Sequence, residues 1–435
     1  MSKDIPPTGA SSLYGLVAQL YPICRSITGN GVRDTLRVIS ERIALDVHEV
    51  PSGTSVLDWT VPKEWNIRDA WVVNPLGQKI LDFKVSNLHV VNYSIPVRKR
   101  LSLDELKLHL HTLPDRPDWI PYRTSYYEES WGFCLSHRQF ESLVPGEYEV
   151  CIDAELRPGS LTYGECVLPG KTPDEILIST HVCHPSLCDD NLTGISVSVQ
   201  LAQTWALRSD RHYTMRFLYA PGTIGAITWL HQNRKTAHRI RHGLTLTCLG
   251  DAHPFTYKRT IGGAAEIDQV AAYVLSKSGL SHNVIDYFPY GYDERQYNSP
   301  GFRLAVGSLM RGRHGQFPEY HTSGDNLQFV SEERLQESHG VISSIIEVLQ
   351  GNQAYRNMAP FGEPQLGSRG LYRALGGTNI PNMQLALLWV LSLSDGRHSL
   401  LDIANRADMN FRSVRAAADL LLQNELLEEE PRPHD

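Results

Sequence analysis

The chain has 435 residues, of which 41% are hydrophobic and 20% charged, an ordinary globular composition long enough for more than one domain. Its formal charge of -7 argues against a general nucleic-acid binder, which needs a basic footprint. No apolar run is long enough to span a membrane, and the opening MSKDIPPTGASS has neither an apolar segment nor a cleavage pattern, so a cytoplasmic protein is expected.

From Ser12 to Ile43 the pattern is helical, with a break at Thr28-Gly29-Asn30-Gly31. From Trp59 to about Glu149 short β-like runs alternate with turns, which predicts a strand-rich insert over 59–147. One helix, SLDELKLHLHTL, interrupts it; Ser102 and Glu105 form a capping-box signature. From about Tyr148 the pattern changes. DEILIST, MRFLYAP and GLTLTCLG read as buried strands, each followed by a helix. That alternation predicts an α/β domain over 1–58 and 148–352, three layers around a mainly parallel sheet. After a Pro/Gly-rich connector, residues 375–435 read as helix, short helix, turn and longer helix, the order of a winged helix-turn-helix. Its second long helix offers only Arg412 and Arg415 and its end is acidic, so a packing or docking module is expected rather than a DNA reader.

The seven cysteines, Cys24, Cys134, Cys151, Cys166, Cys183, Cys188 and Cys248, include no CxxC pair. Free buried thiols are expected, neither a disulfide framework nor a thiolate zinc site.

In α/β sheets functional residues gather in loops after strand C-termini. Three such loops stand out. The first, His181 to Gly194, carries His181, His184, Asp189 and Asp190; imidazole plus carboxylate is the donor mix of catalytic zinc, and the alternative is a helix cap. The second carries Tyr320, His321 and Asp325, the Asp placed to orient the His. The third, Tyr292 to Gly301, holds Asp293, Glu294 and Arg295, a solvated turn or a substrate clamp in which Arg295 pairs a carboxylate.

The order of strand-His, Asp-Asn-x-Ser/Thr-Gly and a distant Tyr-His-Thr-x-x-Asp resembles the co-catalytic zinc aminopeptidases. The stretches LYPICRSITGNGVRDTL, IPYRTSYYEESWGFC, CHPSLCDDNLTG, DERQYNSPG and PEYHTSGDN are similar to a bacterial aminopeptidase-like family with an inserted domain and a winged-helix tail. The resemblance implies one or two zinc ions, with Asp190 as the bridging ligand, His321 as the late His ligand and His184 as the early one. His181 and Asp251 are further candidates.

One departure matters. The resembled family has Pro-Glu-Thr-Ile-Gly where this chain has Pro221-Gly222-Thr223-Ile224-Gly225. Glycine cannot take a proton from water, and a general base is worth about 10²–10⁴-fold. Glu294 and Asp293 are the candidate catalytic substitutes, with Arg295 and Tyr320 as substrate-binding residues. The expected activity is zinc-dependent hydrolysis of an amide or peptide bond in a biosynthetic pathway. An acyl-transfer or cyclising enzyme and a catalytically inert binding scaffold are the alternatives. The expected partner is a small molecule or peptide, without nucleic acid or membrane, and a homo-oligomer is left open.

Overall fold

Ile176, Leu177 and Ile178 are all fully buried, so the strand Thr172–His181 is covered on both faces, as a central parallel strand must be. The computed structural model, which describes residues 12–371 and 382–431, sets this strand inside an eight-stranded sheet. The N-terminal stretch 1–11 and parts of the expected 375–435 module lie outside the described residues. The strand order is Asp46–Pro51, Ser160–Leu168, Tyr213–Ala220, Thr172–His181, Ile240–Leu246, Val306–Met310, Phe255–Lys258, His282–Ile285.

The third to sixth strands of that order run parallel. Their neighbours on both sides join antiparallel. The sheet therefore has the expected parallel centre, and Phe255–Lys258 and His282–Ile285 pair parallel as well, with antiparallel joins at its flanks. Only residues 169–171 separate Ser160–Leu168 from Thr172–His181. That is too short for the crossover a parallel pair requires. The helix Gly194–Ala206 packs its buried Ile195, Val199, Leu201 and Trp205 below the site.

A second, four-stranded antiparallel sheet has the order Lys79–Asp82, Glu64–Val73, Glu147–Arg157, Val97–Ser102. The boundary expected between 147 and 148 falls inside Glu147–Arg157. This strand pairs on both edges, with Ile152 opposite both Ala70 and Val97. Burial of Tyr148, Val150, Ile152 and Ala154 gives it one core face. The capping box of Ser102 and Glu105 is present, but its helix stops at Lys107. Leu110–His111 instead pairs with Phe133–Cys134.

By internal contacts, 12–265 together with 280–340 form one compact unit, which holds both sheets. Residues 266–279 and the described part of 341–435 form the second. In it the helices Asn382–Leu393, Leu400–Ala407 and Phe411–Gln423 accompany a three-stranded sheet of Asp395–Ser399, Ala354–Asn357 and Leu427–Glu429, a winged-helix arrangement. Arg412 lies 2.5 Å from Glu347, and Arg415 lies 2.9 Å from Asp419. All seven cysteines are free. No helix among the described residues is long and apolar enough to cross a membrane.

Candidate metal centre

Asp190 is fully buried in the loop after the central strand, and imidazoles approach both of its carboxylate oxygens. His181 Nε2 lies 2.8 Å from Oδ1, and His321 Nε2 lies 3.0 Å from Oδ2. His184 Nε2 lies 3.9 Å from Oδ2. His181, His184 and Asp190 each offer an atom within 4.8 Å of the others. His321 joins them through Asp190. The donors fit a cation, because three imidazoles and one carboxylate converge, with His181, His184 and Asp190 buried and His321 partly exposed. His181, the extra candidate of the sequence, stands closer to Asp190 than the preferred His184. It is the last residue of its strand, which aims its ring at the carboxylate.

Burial alone would raise the Asp190 pKa, but His184, His181 and His321 hold it well below the usual carboxylate range. Burial pushes His184 well below the usual imidazole range, against the pull of Asp190. A neutral imidazole beside a carboxylate anion is the protonation state that ligation requires.

The loop is held from beneath. Asp325 accepts backbone N–H bonds from Cys188 at 3.1 Å, Asp189 at 2.6 Å and Asp190 at 3.0 Å. Burial pushes its carboxyl up to about 7. The sequence placed Asp325 as the partner of His321; it is instead the anchor of the Asp190 loop. Asp189 accepts from Gly250 N at 2.8 Å and contributes no atom to the cluster. Asp251, an additional ligand candidate, accepts from Gly312 N at 2.9 Å and lies 2.8 Å from His253 Nδ1.

Tyr292 fills the place where the resembled family carries its Glu. A Cβ at Gly222 would lie 2.6 Å from Tyr292 Cζ and 2.7 Å from its hydroxyl. The ring stacks on His181 at 3.8 Å between centroids, and the hydroxyl lies 3.3 Å from Cys183 Sγ. Glu294, considered as a substitute base, is buried in an ion pair with Lys258 and accepts from Tyr292 N at 3.0 Å. It fastens the loop that delivers Tyr292. Asp293 is buried with Oδ1 unpartnered, and burial followed by Glu294 raises its pKa well above the usual range. Arg295 is exposed, and its guanidinium forms no ion pair among the described residues.

Tyr320 stacks on His321 at 4.0 Å. His314, which no sequence motif singled out, completes a closed circuit of rings. His181, Tyr292, His314, Tyr320, His321 and His184 follow one another at centroid separations of 3.8, 6.1, 6.0, 4.0, 5.1 and 4.9 Å, the last closing on His181. His314 Nε2 is buried without a hydrogen-bond partner. His314 follows the strand Val306–Met310, so the strand-end rule was the signal available for it. The insert also reaches the site. Tyr122 N donates to His321 O at 2.8 Å, and its ring stands edge-on to His184 and His321, 5.1 Å from each.

A parallel-centred sheet with a His/His/Asp cluster at its strand ends defines an aminopeptidase-like α/β protein. The chain belongs to the DUF4910 family, a domain of unknown function whose model matches residues 14–352, and a winged helix-turn-helix model matches 353–429. A Clostridium acetobutylicum protein named for polysaccharide biosynthesis and an aminopeptidase-like domain is 50% identical over 416 residues, 95% of each chain. A crystal structure from the same organism, named as a peptidase, superposes with a TM-score of 0.91 at 49% identity over 96% of both chains. A zinc aminopeptidase from Bacillus subtilis shares the fold at a TM-score of 0.57 and 13% identity, over 80% of this chain and 96% of that one.

Proposed function

We propose that the protein is a zinc-dependent hydrolase of an amide or peptide bond, with one or two zinc ions held by His181, His184, Asp190 and His321. The observation that carries this reading is the approach of separate imidazoles to the two oxygens of one buried carboxylate. Bound zinc supplies Lewis acidity, polarising a carbonyl and lowering the pKa of water. Asp325 fixes the Asp190 loop, Tyr122 packs edge-on against His184 and His321, and Tyr320 presents a flat face beside His321.

A second reading is favoured by Tyr292 standing where a side chain at Gly222 would project. A site lacking that carboxylate suits transfer of an acyl group to an amine, or cyclisation, better than activation of water. An inert binding scaffold is the third reading. The relative's name supports a biosynthetic substrate. Seven free cysteines support a reducing, cytoplasmic setting. The pairing of Arg412 and Arg415 with acids supports a winged helix that does not grip nucleic acid.

Elemental analysis of protein purified without a His-rich tag tests these readings. One or two zinc per chain, lost in Asp190→Ala and His321→Ala, supports the metalloenzyme. Turnover of aminoacyl amides then supports hydrolysis, and zinc without turnover supports acyl transfer. No zinc after zinc is supplied leaves only the scaffold.

A further inference from the structure

A cavity of about 480 Å³ is lined by Tyr93, Tyr126 and Tyr127 of the insert, with Thr60 and Lys63 among its polar groups and Val61 among its apolar ones. That volume falls in the range of about 300–1,000 Å³ used for small molecules. The Tyr126 hydroxyl lies 2.7 Å from that of Tyr122, whose ring touches His184 and His321. One wall of the cavity is thus a tyrosine pair away from the cluster.

Tyr127 of this cavity faces solvent, and so does Trp59, which lies outside the lining but packs on Tyr127. Trp59 is 43% exposed and Tyr127 52%, and their rings meet edge-on at 5.4 Å. Aromatics of this size are normally buried, so an exposed pair beside a cavity is the observation to explain. The cavity has Val61, Pro62, Leu156 and Pro158 in its lining and opens between aromatic faces and a rim of charge. Lys63, the one cation lining it among the described residues, lies 2.6 Å from Glu129, and Glu128 adds a further negative charge. The rim therefore disfavours phosphate. It suits hydroxyl groups, which both donate and accept, while aromatic faces suit the C–H faces of a saturated ring.

We propose that this cavity is a subsite for an uncharged pyranose ring of a sugar that carries the amide acted on at the metal cluster. The substrate assignment rests on the hydrolase reading above; binding of the ring itself does not.

The test uses full-length protein of measured zinc content and saturation-transfer NMR with two probes, N-acetylglucosamine and methyl glucoside, against leucinamide as a peptide-like comparator. Transfer to the sugar ring protons is expected. Trp59→Ala and Tyr127→Ala, both at exposed positions, are expected to weaken binding about fivefold or more with zinc content unchanged, while Tyr127→Phe retains it. No transfer to either sugar overturns the proposal, as does transfer that survives both alanine variants or appears for leucinamide alone. Sugar binding that persists in Asp190→Ala supports the subsite whatever becomes of the hydrolase reading. Zinc and amide turnover without sugar binding overturns the subsite alone.

Discussion

The ring of Tyr292 lies where any side chain at Gly222 would have to project, with Cζ 2.6 Å from the ideal Cβ position. Restoring a Glu there is therefore not a simple repair. Gly222→Glu alone is expected to destabilise by about 1–3 kcal/mol, as overpacked sites do, and to leave turnover of aminoacyl amides unchanged. Gly222→Glu with Tyr292→Ala is expected to recover stability and to be the first variant that gains turnover. Urea denaturation and amide-cleavage assays on the three proteins check this; a gain in the single variant would contradict it.

Asp325 supports the Asp190 loop without supplying a donor atom to the cluster. Asp325→Ala leaves the buried N–H groups of Asp189 and Asp190 without their acceptor, each costing about 1–3 kcal/mol when unsatisfied, while Cys188 N keeps the Asp325 backbone carbonyl at 3.2 Å. A stability loss above about 2 kcal/mol is expected. Asp325→Asn keeps an acceptor oxygen, so it is expected to retain much of the stability and to weaken zinc binding by about 10–100-fold. Competition with a chelator measures the affinity, and thermal unfolding measures the stability.

Local signals wrote much of this fold into the chain. The apolar run ending at His181 gave the central strand, and Ser102 with Glu105 gave a real cap. Asp190, His184 and His321 were legible because strand ends and imidazole–carboxylate pairs mark metal sites. What sequence reading missed depends on contacts between distant segments. Nothing near residue 292 says that its ring will occupy the space beside residue 222. Nothing near residue 325 says that its carboxylate will bind the backbone of 188–190 rather than a neighbouring His. The strand Glu147–Arg157 spans the boundary expected at 147/148, and only its partners Glu64–Val73 and Val97–Ser102, distant in the chain, place it in the insert's sheet.

Glu64 provides a pH-dependent tie between the helix Asn30–Ser40 and the insert. It accepts from Arg33 Nη2 at 2.6 Å and from Ser160 N at 3.0 Å. Chiefly because of Arg33, its pKa falls from 4.5 to about 2. The folded value is the lower one, so this stabilisation is fully present above about 4.5 and fades as pH falls towards about 2. The stability gap between the native protein and Glu64→Gln is expected to be widest near neutral pH and to shrink through that window. Urea titrations of both proteins at several pH values measure the gap; one that widens in acid would contradict the assignment.

Lys258 is the buried cation under the loop that carries Tyr292. Its ammonium donates to Phe288 O and Tyr290 O, each at 3.0 Å, and pairs with Glu294. Removing one partner of a buried pair strands the other charge, which costs about 3–5 kcal/mol. Lys258→Met is expected to lose that much and to loosen the packing of Tyr292 on His181. Replacing both partners removes the stranded charge, so Lys258→Met with Glu294→Leu is expected to be more stable than Lys258→Met alone. A double-mutant cycle by chemical denaturation should give a coupling energy above about 1 kcal/mol. Additive effects would show that Glu294 does not depend on Lys258, and would reopen Glu294 as a free carboxylate.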